Sequence, residues 1–153
     1  DLVVLQGSPS AIVNDPEGFA RYAGLWKEAI AQAGAATALF VPHSFDDSPE
    51  YADSIAALCE RVAREIGALT IPINQAWYAV KDRHPDIVLF GPDGIHPTAQ
   101  GTVLYTYAAF ATIFQQSPEG IEYSFDYVCT PDERSYMQSI TWEIVRSHMD
   151  WGR

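Results

Sequence analysis

Three short apolar runs, at residues 2–6, 37–41 and 69–73, constrain this chain more than any other feature, because helical stretches with marked ends separate them. The first is continuous rather than alternating, which suits a strand buried on both faces of a parallel sheet. The first separating stretch opens at Asp15-Pro16, carries Phe19, Tyr22, Ala23, Trp26 and Ile30 at helical spacing, and stops at Gly34. The second opens at Ser48-Pro49 and sets Tyr51, Ile55, Leu58, Cys59, Val62 and Ile66 on one stripe before Gly67. A shorter helix is expected over 75–81. Parallel neighbours need a crossover, and crossovers are right-handed, so this β-α-β-α-β order predicts a layered α/β fold with a parallel sheet.

A fourth short run, Ile87-Val88-Leu89-Phe90, leads into the loop Gly91-Pro92-Asp93-Gly94 and then a helix over 98–115. On that loop stands Asp93-Gly94-Ile95-His96-Pro97. An acidic residue three positions before a histidine on a turn can place both side chains at one mouth. The carboxylate then fixes the tautomer of the imidazole, which can take a proton from a nucleophile. The plainer reading of the same letters is surface polarity on an Asp-Gly turn with Pro97 opening a helix. Loops just before helices of layered α/β proteins commonly carry function, which favours the pair.

Beyond Gln116 the pattern changes. Ser117-Pro118-Glu119-Gly120 is a turn, and 121–128 is an aromatic, extended connection. Thr130-Pro131-Asp132-Glu133 is a capping box, and the helix after it sets Met137, Ile140, Ile144 and His148 on one side. His148 is expected to pack or face solvent. No flexible linker precedes residues 117–153, so they are expected to be an appended helical segment of one domain covering 1–153.

Length permits a real core, at 153 residues with 48% hydrophobic and 19% charged. A net charge of −11 disfavours nucleic acid and anionic membranes as partners. No stretch reaches the roughly 18 apolar residues of a membrane span, and no signal peptide is visible. Cys59 falls on an apolar helix stripe and is expected to be a buried free thiol; with Cys129 it settles nothing about compartment.

Asp93-Gly94-Ile95-His96-Pro97, with Gly101 a few residues on, resembles the last block of the SGNH, or GDSL-type, ester hydrolases. The opening Asp1-Leu2-Val3-Val4-Leu5-Gln6-Gly7 resembles the strand before that family's third block. The likeness covers about the first 115 residues. It implies a three-layer α/β/α sandwich with a parallel, flavodoxin-like sheet, here lacking its first strands, and a Ser-His-Asp triad in which Asp93 and His96 are the acid and base. The family's Gly-x-Asn-Asp is replaced by Gly7-Ser8-Pro9-Ser10. Gln6 is then the candidate oxyanion donor; Asn14 competes, but Asn14-Asp15-Pro16 is explained as a helix start.

The family's nucleophile block lies upstream of the third block, so the serine is expected on an N-terminal segment or second chain. That segment would pair with residues 2–6, which in isolation present an apolar, unpaired strand edge prone to aggregation. Ser8 and Ser10 follow the first strand; Ser8 is a candidate for lining a substrate pocket, against a turn whose hydroxyls bond the local backbone. His43, in Pro42-His43-Ser44, is a candidate substrate contact, against a solvated loop histidine. A metal site from His43, Asp93 and His96 lacks ligand spacing and is not expected, nor is any cofactor. Trp77 and Tyr78 are expected in the core, and His84 is assigned no role.

The activity implied is hydrolysis of small-molecule or carbohydrate acyl esters. The competing class is a degenerate relative that binds a ligand, such as a glycan, without catalysis. No compartment follows from the residues, a secreted or periplasmic bacterial setting among the candidates.

Overall fold

The computed structural model describes residues 1–122 and 128–149, so most of the 121–128 connection lies outside the described residues. The chain is α/β and divides into two compact units, Asp1–Asn74 and Gln75–Arg153.

The first unit is built on strands β1 (Leu2–Gln6), β2 (Ala36–Phe40) and β3 (Leu69–Ile71). They form a three-stranded parallel sheet in the order β1-β2-β3, with Leu2 opposite Ala36 and Ala38 opposite Leu69. The parallel arrangement expected from the three apolar runs is therefore present. β1 lies at an edge, and Val3 and Val4 are 38% and 44% exposed despite their strongly apolar character. Helices α1 (Pro9–Asn14), α2 (Pro16–Gln32) and α3 (Ala52–Ile66) make the crossovers, the last entered through a 3-10 turn at Pro49–Tyr51. Ile12, Ala23, Leu39, Val41, Ile55, Cys59 and Val62 form the buried core of this unit.

Three local features differ from expectation. The Ser8-Pro9-Ser10 stretch is not a simple turn: Ser8 caps α1, its Oγ accepting the Ala11 N–H at 3.2 Å, and Pro9 occupies the first helical position. β3 ends at Ile71 rather than 73. Pro72 cannot donate to a ladder, and Asn74 N–H turns instead to the Val41 carbonyl as α4 (Ile73–Arg83) begins. On α2, Ala23 and Ile30 face the core as their spacing demands, whereas Tyr22 and Trp26 are each 60% exposed. The end of α2 is as the sequence indicates, with Gly34 left-handed (φ 74°) and the Ala35 N–H returning to the Ile30 carbonyl.

The second unit gathers the rest of α4 with α5 (Ala99–Phe114) and α6 (Pro131–Met149) around Trp77, Val80, Leu89, Phe90, Leu104, Tyr107, Met137 and Ile140. Trp77 is a core residue, edge-on to Phe90 with ring centroids 4.9 Å apart. α5 passes so close that a Cβ at Gly101 would stand 2.6 Å from the Leu89 carbonyl oxygen and 2.7 Å from the Trp77 ring. Only glycine fits there. α6 carries the expected capping box: Glu133 N–H donates to Thr130 Oγ1 (3.2 Å) and Thr130 N–H to Glu133 Oε2 (2.7 Å). Buried Gln138 fastens the chain ahead of α6, donating to Tyr107 Oη and the Ile121 carbonyl while accepting the Gly120 N–H. His148, half-buried, bonds back to the Ile144 carbonyl of its own helix, a packing role.

Candidate active site

The run at 87–90 does not form a regular strand. It buries Ile87, Leu89 and Phe90 and serves as one arm of a clasp whose other arm is 96–98. Phe90 and Pro97 form an isolated antiparallel bridge. Gly91 N–H donates to the His96 carbonyl at 2.7 Å, and Thr98 N–H to the Leu89 carbonyl at 2.8 Å. The Thr98 hydroxyl donates to the Val88 and Leu89 carbonyls and accepts the Gly101 N–H, so one side chain closes the clasp and caps α5. Thr98 is thus the cap and Pro97 a bridge residue, not the first of the helix.

Between the arms, Gly94 N–H returns to the Gly91 carbonyl (3.0 Å) and Gly94 adopts φ 67°, a conformation that costs glycine little. Asp93 Oδ1 then accepts two backbone N–H groups, from Ile95 at 3.0 Å and His96 at 2.9 Å. Its second oxygen, Oδ2, lies 2.7 Å from His96 Nδ1. The pairing read from the sequence is therefore made. With Nδ1 donating to the carboxylate, Nε2 is the nitrogen left to accept a proton. The side chains are 80% exposed for His96 and 50% for Asp93, so a substrate can reach the ring directly.

The His96 imidazole, followed by the two amides, holds the Asp93 carboxyl well below the usual carboxylate range. Asp93 is solvated, so salt and water screen this interaction, and its importance lies in orientation more than stability. The arrangement can act as a general base whose partner carboxylate stabilises the imidazolium.

The remaining candidates all belong to the first unit. Gln6, the last residue of β1, is exposed. Ser8 is exposed, with its hydroxyl engaged in the α1 cap. His43 is 5% exposed, which corrects the picture of a solvated loop histidine. Its Nδ1–H donates to the Ser44 carbonyl at 2.6 Å, and burial lowers its pKa, so the ring is held neutral. The loop around it is anchored by Asn74, whose amide donates to the Pro42 and Ala52 carbonyls.

Cys59 is fully enclosed, and burial, with Glu60 adding to it, pushes its thiol up to about 12, the state of an inert structural cysteine. Among the described residues, no group of three or more His, Cys, Asp or Glu is placed to hold a metal ion. No helix is long and apolar enough to cross a membrane among the described residues.

Sequence reasoning missed Gly91, Thr98 and Gln100 as supports of the turn. Thr98, before an amphipathic helix, carried a capping signal. Nothing in the sequence showed that Gln100 Oε1 accepts the Val88 N–H at 3.1 Å. Comparison of the chain with protein-family models, with curated proteins and with solved structures returns no match.

Proposed function

We propose that this chain supplies the acid and base of a serine ester hydrolase of the SGNH type. The observation that carries the reading is the 2.7 Å contact between Asp93 and an exposed His96. His96 Nε2 takes the proton of a serine hydroxyl, Asp93 stabilises the imidazolium, and the serine attacks an acyl ester carbonyl; the adduct collapses with cleavage of the ester bond as His96 returns the proton to the leaving alcohol. Water then hydrolyses the acyl-enzyme with His96 again as base. In this reading no metal or organic cofactor takes part.

The serine belongs to a further polypeptide segment that adds a strand beside β1 and extends the sheet toward a three-layer sandwich. The exposed Val3 and Val4 on an edge strand support this, because central-strand residues at an edge call for a covering partner. One feature supports a ligand-binding relative instead. The loop after β1 runs straight into α1 through the Ser8 cap, where the family pattern presents an asparagine.

Treating the protein from its natural source with a fluorophosphonate and weighing it under denaturing conditions separates the two. A hydrolase gains the mass of one adduct on a serine, and the adduct is lost in His96→Ala. A protein that stays unlabelled while binding acylated glycans is the non-catalytic relative.

A further inference from the structure

The clasp that presents the dyad is held at its base by a relay reaching into α6. Val88 N–H donates to Gln100 Oε1 at 3.1 Å, and Gln100 Nε2 donates to Glu133 Oε1 at 3.2 Å. The other carboxylate oxygen, Oε2, receives the Thr130 N–H at 2.7 Å. A carboxylate can only accept, and an amide has one accepting and one donating end. Glu133 therefore dictates which end of Gln100 faces Val88. Val88 itself is 57% exposed, so its N–H turns to water if that acceptor leaves. Its carbonyl takes the Thr98 hydroxyl, and three residues on, the Gly91 N–H holds the His96 carbonyl.

We propose that Glu133 is a positioning residue for the Asp93–His96 pair: by fixing the polarity of Gln100 it clamps Val88 and keeps the turn that carries both side chains in register. The tail helix α6 is then part of the machinery of the site. Glu133 contacts Thr130 and Gln100 rather than the dyad, so it acts on the pair indirectly. Thr130 and Gln100 also hold the Glu133 carboxyl below its usual range, consistent with an acceptor that stays ionised. Any effect on turnover rests on the ester-hydrolase reading; the effect on the turn does not, and the two are measured separately.

Polarity supplies the test. Glu133→Gln keeps a residue suited to a capping box, but one of its two contacts then faces donor to donor. In the double variant Gln100→Glu/Glu133→Gln the carboxylate stands at position 100 and accepts from both Val88 and position 133. The amide oxygen at 133 still receives the Thr130 N–H, so every bond is restored with unchanged net charge. Gln100→Leu deletes the relay while leaving the α6 cap intact.

The readouts are Val88 amide exchange and the low-field Nδ1–H resonance of His96 by NMR, with helicity as a control. Glu133→Gln and Gln100→Leu should each speed Val88 exchange by up to about tenfold, the range of one hydrogen bond, and broaden or abolish the His96 resonance. The double variant should recover both. The proposal is overturned if the His96 resonance stays intact in both single variants, or if the double variant restores helicity but not the resonance. Ester turnover, followed in parallel, bears only on the hydrolase reading.

Discussion

The loops carrying His43 and His96 both follow an apolar run and both lead toward a helix, yet they hold their imidazoles in opposite ways. Around His43 the chain is buried, and the ring donates to a backbone carbonyl while Asn74 ties down the loop from another element. Around His96 the loop is exposed, and Asp93 bonds two of its amides and the ring at once. Burial with a neutral acceptor makes a structural histidine. Exposure with a charged acceptor leaves a histidine that water or substrate can reach. A strand followed by a histidine is therefore a weak signal until the partner of its Nδ1 is known.

The largest effect that separates the loops is expected in turnover. On the proposed hydrolase reading, Asp93→Asn should lower ester hydrolysis by on the order of 10⁴-fold, as the wrong tautomer does in serine triads, with little change in thermal unfolding. A small loss of turnover would break the distinction drawn for His96. His43→Ala reverses the pattern. It should cost about 2–3 kcal/mol in a denaturant titration through a cavity and a lost hydrogen bond, while the Asp93–His96 resonance persists.

Gly101→Ala should destabilise by about 1–3 kcal/mol, because a methyl group there meets the Leu89 carbonyl and the Trp77 ring. A neutral outcome would mean that the clasp yields easily and its geometry is not imposed by packing.

The smallest expected effect is in acid. His43 has a folded pKa below its unfolded value of about 6.5. Its contribution is present above that pH and is lost as pH falls through the lowered folded value. Stability should thus decline as pH falls below about 6.5, and His43→Gln should remove that decline. A pH profile unchanged by His43→Gln would contradict the contrast.

Much of this was legible in the residues because it is local. The three apolar runs, the α3 stripe of Ile55, Cys59 and Val62, the Thr130–Glu133 box and the Asp93–His96 pair all depend on neighbours within a few positions. Tyr22 and Trp26 were misjudged because an apolar residue at helical spacing shows the face it lies on, not whether anything covers that face. α1 was missed because Ser-Pro opens a turn and a short helix alike. Gln100 and Glu133 meet across 33 positions, a contact that only the packing of α5 and α6 creates.

The role of His96 turns on one proton. Nitrogen-15 NMR of the His96 ring, at a pH where the ring is neutral, reports which nitrogen carries it. The 2.7 Å contact predicts the Nδ1–H tautomer with Nε2 bare, shifting toward Nε2–H in Asp93→Asn. A ring protonated on Nε2 in the natural sequence, unchanged by that substitution, would contradict the assignment of His96 as the base.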